Sequence, residues 1–200
     1  MKSSTSTQKK ITVNGTILKM VKGDLVQQNV EAIVNAANPM IEGGGGVDGR
    51  IHSTAGPELA DACRHYKKEH KIDKIQVGHA IITDSFDIKT ISPSIQYVIH
   101  TVGPDCRIAS QWDEKESLLM GAYINSLEVA REKKIASIAF PAISTGAYNY
   151  PFWEAQTVVV ETVKKYLENK PQGVFTEVRL VYYTDEELGN ALRVWEETFQ

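Results

Sequence analysis

Four consecutive glycines, Gly43, Gly44, Gly45 and Gly46, are followed directly by Val47 and Asp48, with His52 four residues further on. Glycine has no Cβ, so this backbone can approach a ligand closely and turn several N–H groups toward one anion. A helix opening behind it adds the positive end of its dipole, which suits a pyrophosphate. Asp48 at that helix start has two readings. It caps the free N–H groups, or it acts on water as a base whose pKa is lifted by a nearby diphosphate. His52 lies one turn on, on the same side, and is either catalytic or a satisfied histidine at the core edge.

Other residues offer complementary chemistry. Asn38 carries donors and an acceptor suited to ribose hydroxyls, although Asn is also a routine loop former. Ser144, Thr145, Gly146 and Ala147 form a second small, N–H-rich loop. Tyr148 beside it lays its ring over a sugar or base, or packs the loop onto the sheet with Tyr150. Asp24 either accepts from an adenine amino group or begins a helical turn. The formal GxGxxG of Gly44, Gly46 and Gly49 raises a dinucleotide oxidoreductase as a rival. Its first glycine follows the preceding strand too late, and the region about 20 residues on, Arg64 to Lys71, reads as helix rather than as an acid-tipped strand.

These loops need elements to hold them. Asn14-Gly15 between Ile11–Val13 and Thr16–Val21 predicts a hairpin. Val30–Asn35 reads as a strand ending before Pro39. Val47–Tyr66 reads as helix in two pieces, broken at Gly56-Pro57. His79–Thr83 and Tyr97–Thr101 read as buried strands. Leu118, Ala122, Tyr123, Ser126, Leu127 and Ala130 recur at helical spacing. Strand Ala136–Phe140, helix Trp153–Leu167, strand Val178–Tyr183 and helix Glu186–Phe199 complete the chain. This alternation predicts an α/β domain over residues 11–200, with a largely parallel sheet covered on both faces. Residues 1–10 read as a frayed polar tail.

The bulk properties bound the function. Two hundred residues suffice for one domain with its own core. A net charge of −3 argues against a broad nucleic-acid surface, so any phosphate site is local. Cys63 and Cys106 show no metal spacing and read as free thiols of a reducing compartment. With neither a secretory leader nor an apolar run of membrane-spanning length, the chain reads as cytoplasmic.

GDL at 23–25, IVNAAN at 33–38, GGGGVDG at 43–49, IHTVGP at 99–104 and FPAISTGAY at 140–148 together resemble the macrodomains of the MacroD type. The resemblance runs from about Leu18 to the C-terminus. It implies a three-layer α/β/α fold with a mixed, largely parallel sheet that binds ADP-ribose. It also implies a hydrolase that removes mono-ADP-ribose from acidic side chains and deacetylates O-acetyl-ADP-ribose, with no metal or other cofactor. On the matching positions, Asp24 holds the adenine amino group and Asn38 the distal ribose. Gly44 to Val47 and Ser144 to Tyr148 clasp the diphosphate and distal ribose. Tyr183 stacks on adenine, Asp48 and His52 fall on positions linked to hydrolysis, and Leu25, Ala36 and Pro141 complete the lining. Two residues depart from the pattern. Arg50 stands where a small residue is usual; it pairs with substrate phosphate or a protein carboxylate or, as is expected first, is a solvated helix arginine. Asn149 replaces a common glycine. The implied partners are ADP-ribose, ADP-ribosylated proteins and O-acetyl-ADP-ribose, bound by a monomer. The alternatives are a non-catalytic ADP-ribose reader and a regulator of RNA processing acting by protein contact.

Overall fold

A computed structural model describes residues 8–199. The chain opens on a hairpin, β1 (Gln8–Val13) and β2 (Thr16–Lys22). Asn14 and Gly15 both have positive φ, 46° and 82°, as the tight turn predicted from this pair requires. Strand β1 starts at Gln8, inside the stretch expected as tail, because Gln8, Lys9 and Lys10 pair with Val21, Met20 and Lys19. The rest of that expected tail, 1–7, lies outside the described residues.

Strand β3 (Ala32–Ala36) leads through the glycines to helices α1 (Gly46–Ala55) and α2 (Pro57–His70). They part at Gly56, whose φ of 81° no L-residue holds cheaply, and Pro57 opens α2 where its missing N–H costs nothing. Then come β4 (Ala80–Asp84), α3 (Ile88–Ile91), β5 (Tyr97–Thr101), α4 (Ala109–Asp113) and α5 (Lys115–Glu132). The chain ends with β6 (Ser137–Phe140), α6 (Phe152–Glu168), β7 (Glu177–Tyr182) and α7 (Asp185–Thr198). Helix α7 is started by a capping box between Thr184 and Glu187.

The seven strands are ordered β1-β2-β7-β6-β3-β5-β4. The five inner strands run parallel, and the outer strands β1 and β4 pair antiparallel. One core packs α5, α6 and α7 against one face around Phe140, Tyr123 and Val160. A second, around Ile33, Ile51 and Leu59, packs α1 and α2 against the other. The result is the expected three-layer α/β/α arrangement with a mixed sheet.

Two local expectations are corrected. The strand at 80–84 is an edge strand and only Ile81 in it is buried, because one side has no neighbour to cover it. The stripe of α5 runs through Leu119 rather than Leu118, since Leu119 faces the core. From β3 the chain moves toward β5, whereas from β6 it moves toward β7. The loops after these two adjacent strands therefore diverge and open a crevice at the carboxyl edge of the sheet.

Candidate functional site

The glycine loop leaves β3 on one side of this crevice, and the Ser144 to Tyr148 loop leaves β6 on the other. Two connected cavities lie between them, of about 490 and 360 Å3, sharing Gly46, Val47, Ala142 and Gly146 as walls. Some glycines here are dictated by crowding. A Cβ on Gly49 would collide with the carbonyl oxygen of Gly44, and one on Gly103 with the side chains of Ile143 and Ser144. Gly45 differs: its φ is −97° and a Cβ would project into open space.

Asp48 sits in the first turn of α1 but does not cap it. The cap is Gly45, which has no side chain to bond with. The carboxylate is instead buried, and its Oδ1 accepts a 2.7 Å hydrogen bond from Asn35 Nδ2. His52 Nε2 lies 3.4 Å from the same oxygen, while Oδ2 lies against Gly44. Burial pushes the Asp48 carboxyl above its ordinary range, and the Asn35 bond and the nearby His52 draw it partly back.

Behind Asp48 stands a polar relay that was not expected. Asn35 and His100 are register partners on β3 and β5, and both are fully buried. A carboxylate can only accept, so the Asn35 amide nitrogen must face Asp48. Its second hydrogen points to His100 Nδ1, 3.2 Å away. His100 Nδ1 is then an acceptor and Nε2 carries the proton, directed at Thr83 Oγ1 at 2.9 Å. Burial and the neighbouring His52 push the His100 pKa down to about 3, so the ring is neutral and orients Asn35 without adding charge. Asn35 is the one polar residue of the apolar run AIVNA, whereas YVIHT carries both His100 and Thr101, so the sequence marks Asn35 and His100 as unusual without showing that they meet.

The cavity beside Asp48 is lined by the expected residues Ala36, Asn38, Gly44, Gly45, Gly46, Val47, Ser144, Gly146, Ala147 and Tyr148. Asn38 donates to the Gly43 carbonyl at 2.9 Å, which fixes its amide and leaves Oδ1 buried without a partner among the described residues. Ser144 Oγ is likewise buried and unpaired, on a backbone held at φ 68°. Such orphaned acceptors and donors at a cleft wall await a ligand or water. Tyr148 is held by its carbonyl, which accepts from Cys106 N at 2.9 Å, and the Arg107 guanidinium lies 5.6 Å from its ring centre. His52 does not line this cavity. Its ring packs beneath Gly43, behind Asp48.

The larger cavity holds the other expected residues, Asp24, Leu25, Pro141, Thr145 and Tyr183. Its walls include apolar Ile51 and Val181, and Tyr183 stands 76% exposed at its rim. Asp24 caps the short 3-10 turn Leu25–Gln27, the second of its two readings, and also lines the cavity. Arg50 is half exposed, as expected of a solvated helix arginine, but it is also paired: it donates twice to Asp24 Oδ2, at 3.0 and 2.8 Å. Asn149 takes up φ 55°, a conformation Asn accepts with little cost.

A family model described as "Macro domain" matches residues 34–159. The chain belongs to the macro domain family. Among curated relatives, the O-acetyl-ADP-ribose deacetylase of Cronobacter turicensis is 43% identical to this macrodomain over 169 residues, covering 84% of this chain and 90% of the relative. The enzyme of the same name from Escherichia coli K12 is 40% identical, covering 86% and 90%. Among solved structures, the Oceanobacillus iheyensis macrodomain with ADP superposes on this macrodomain with a TM-score of 0.87 at 35% identity, covering 96% of both chains. The Trypanosoma brucei macrodomain in complex with ADP-ribose gives 0.74 at 29% identity, covering 92% of this chain and 69% of that one.

Proposed function

We propose that this macrodomain binds ADP-ribose across the two cavities and hydrolyses its esters, both O-acetyl-ADP-ribose and mono-ADP-ribose on acidic side chains. The observation that carries the reading is the buried Asp48 carboxylate, held by Asn35 at the wall of a cleft whose loops offer backbone N–H groups and the N-terminus of α1. The names of its 40–43% identical relatives support the deacetylase part.

The diphosphate lies along Gly44 to Val47, where the loop N–H groups and the helix dipole favour it without a cationic side chain. Asn38 Oδ1 accepts from a distal ribose hydroxyl, which satisfies that orphaned atom. Asp48 accepts a proton from water as the water oxygen attacks the ester carbonyl or the anomeric carbon. Attack at the carbonyl expels the ribose oxygen, which takes up the proton; attack at the anomeric carbon releases the carboxylic acid. Product analysis in oxygen-18 water separates them, because the label ends in the freed acid in the first case and in the ribose in the second.

The test is incubation with O-acetyl-ADP-ribose and with a glutamate-ADP-ribosylated protein, in the presence of a chelator. Release of acetate and of ADP-ribose is expected from the two substrates. Tight ADP-ribose binding without either release identifies a reader instead. Full dependence on added metal contradicts the cofactor-free mechanism.

A further inference from the structure

Asp48 and Asn38 line one cavity, whereas Asp24 and Arg50 line the other, across Gly46 and Val47. A nucleotide whose diphosphate crosses the glycine loop therefore places its base beside Asp24 and Arg50. The apolar walls there suit a planar base, so its identity must be read by the few polar groups at the edge. Glu187 is occupied: its Oε2 accepts from the backbone N–H groups of Tyr183 and Thr184, at 2.9 and 3.1 Å. Asp24 Oδ1 takes the Val26 N–H at 3.2 Å, and Oδ2 takes two hydrogen bonds from Arg50. A carboxylate has about four acceptor positions and a guanidinium five N–H donors. One acceptor position thus remains on Asp24 Oδ1, on the same carboxylate whose Oδ2 holds Arg50, and the guanidinium Nη1 has no bonding partner among the described residues.

We propose that Arg50 is a base-reading residue: beside Asp24, to which the family resemblance assigns the adenine amino group, it supplies the donor for the neighbouring ring nitrogen. Adenine presents an amino donor next to a ring-nitrogen acceptor, so its amino group meets Asp24 while the ring nitrogen accepts from Arg50. Hypoxanthine inverts both groups, with a carbonyl oxygen where adenine has the amino group and a ring N–H where adenine has the acceptor, so in the same pose the oxygen is repelled by Asp24 and the N–H by Arg50. The two bonds donated to Asp24 hold the planar guanidinium in place, so little side-chain freedom is lost when a base docks. This inference rests on the ADP-ribose reading above and adds to it the specificity of the base end.

The experiment compares calorimetric affinities for ADP-ribose and inosine diphosphate ribose in the wild type, Arg50→Met and Arg50→Lys, with melting temperatures confirming that each variant is folded. Arg50→Met is expected to weaken ADP-ribose binding about tenfold, as for one hydrogen bond to a charged group. Inosine diphosphate ribose should stay within about twofold, so the preference for adenine shrinks by most of that factor. Arg50→Lys, which keeps the charge but not the fork, is expected to lose most of the preference as well. Equal losses on both ligands indicate a charge acting on the diphosphate, and an unchanged preference indicates a bystander. Either result overturns the assignment while leaving the ADP-ribose reading intact. A wild type that binds neither ligand overturns both.

Discussion

Asp48 is a carboxylate placed where it costs the fold something. Its folded pKa is raised chiefly by burial, so ionising it is harder in the native state than in the unfolded chain. Such a group is neutral in both states below the ordinary carboxylate pKa. Its ionised form then lowers stability as pH rises through the folded value. Asp48→Asn keeps an acceptor for Asn35 and removes the charge, so it is expected to raise the melting temperature at neutral pH, with the gain vanishing in acid. The same variant is expected to lower turnover by at least about 100-fold while largely sparing ADP-ribose affinity. In the wild type, turnover should fall on the acid side at a pH above the usual carboxylate range. Thermal melts and a pH–rate profile check these expectations, and unchanged turnover removes Asp48 from the mechanism. That Asp48, Asn38 and the glycines line one cleft was legible, because they follow a single strand closely in sequence. Asn35 and His100 were not used, because what joins them to Asp48 is strand register, which a local pattern does not contain.

The glycine loop and helix α1 work as one element, and its glycines are not equivalent. Gly49 is helical, a place where Ala normally stabilises by about 1 kcal/mol. Here the contact with the Gly44 carbonyl reverses that preference, so Gly49→Ala is expected to lower both the melting temperature and ADP-ribose affinity. Gly45 has ordinary backbone angles and open space beside it. Gly45→Val should therefore fold normally, yet weaken ADP-ribose by about tenfold or more by obstructing the loop's N–H groups. Melting curves with calorimetry separate the two. Full affinity in Gly45→Val contradicts the placement of the diphosphate. The helix break at Gly56-Pro57 and the Asn14-Gly15 turn were legible because those residues act locally through φ. The edge position of β4 was not, since His79–Thr83 is apolar enough to read as buried and only the pairing order shows that it lacks an outer neighbour.

At the scale of the molecule, strand and helix alternation announced the α/β class, but the crossing of β6 to lie beside β3 was not readable from it. That crossing creates the crevice by sending the two loops apart. What the whole-chain charge did convey is how the ligand must be held. The protein carries −3 overall, and none of the residues lining the cavity beside Asp48 is a lysine or arginine. On the proposed placement the diphosphate is held there by fixed N–H dipoles and hydrogen bonds rather than by cationic side chains. Raising the salt from 50 to 200 mM screens contacts between phosphate and exposed lysines or arginines, but hardly weakens short hydrogen bonds from a fixed backbone. This macrodomain is expected to lose less than about threefold for ADP-ribose over that range, since the nearby cations Arg50 and Arg107 are already paired with Asp24 and Asp105. Calorimetric titrations at the two salt concentrations test this directly. A steep decline means that mobile surface lysines or arginines, rather than the glycine loop, carry the diphosphate.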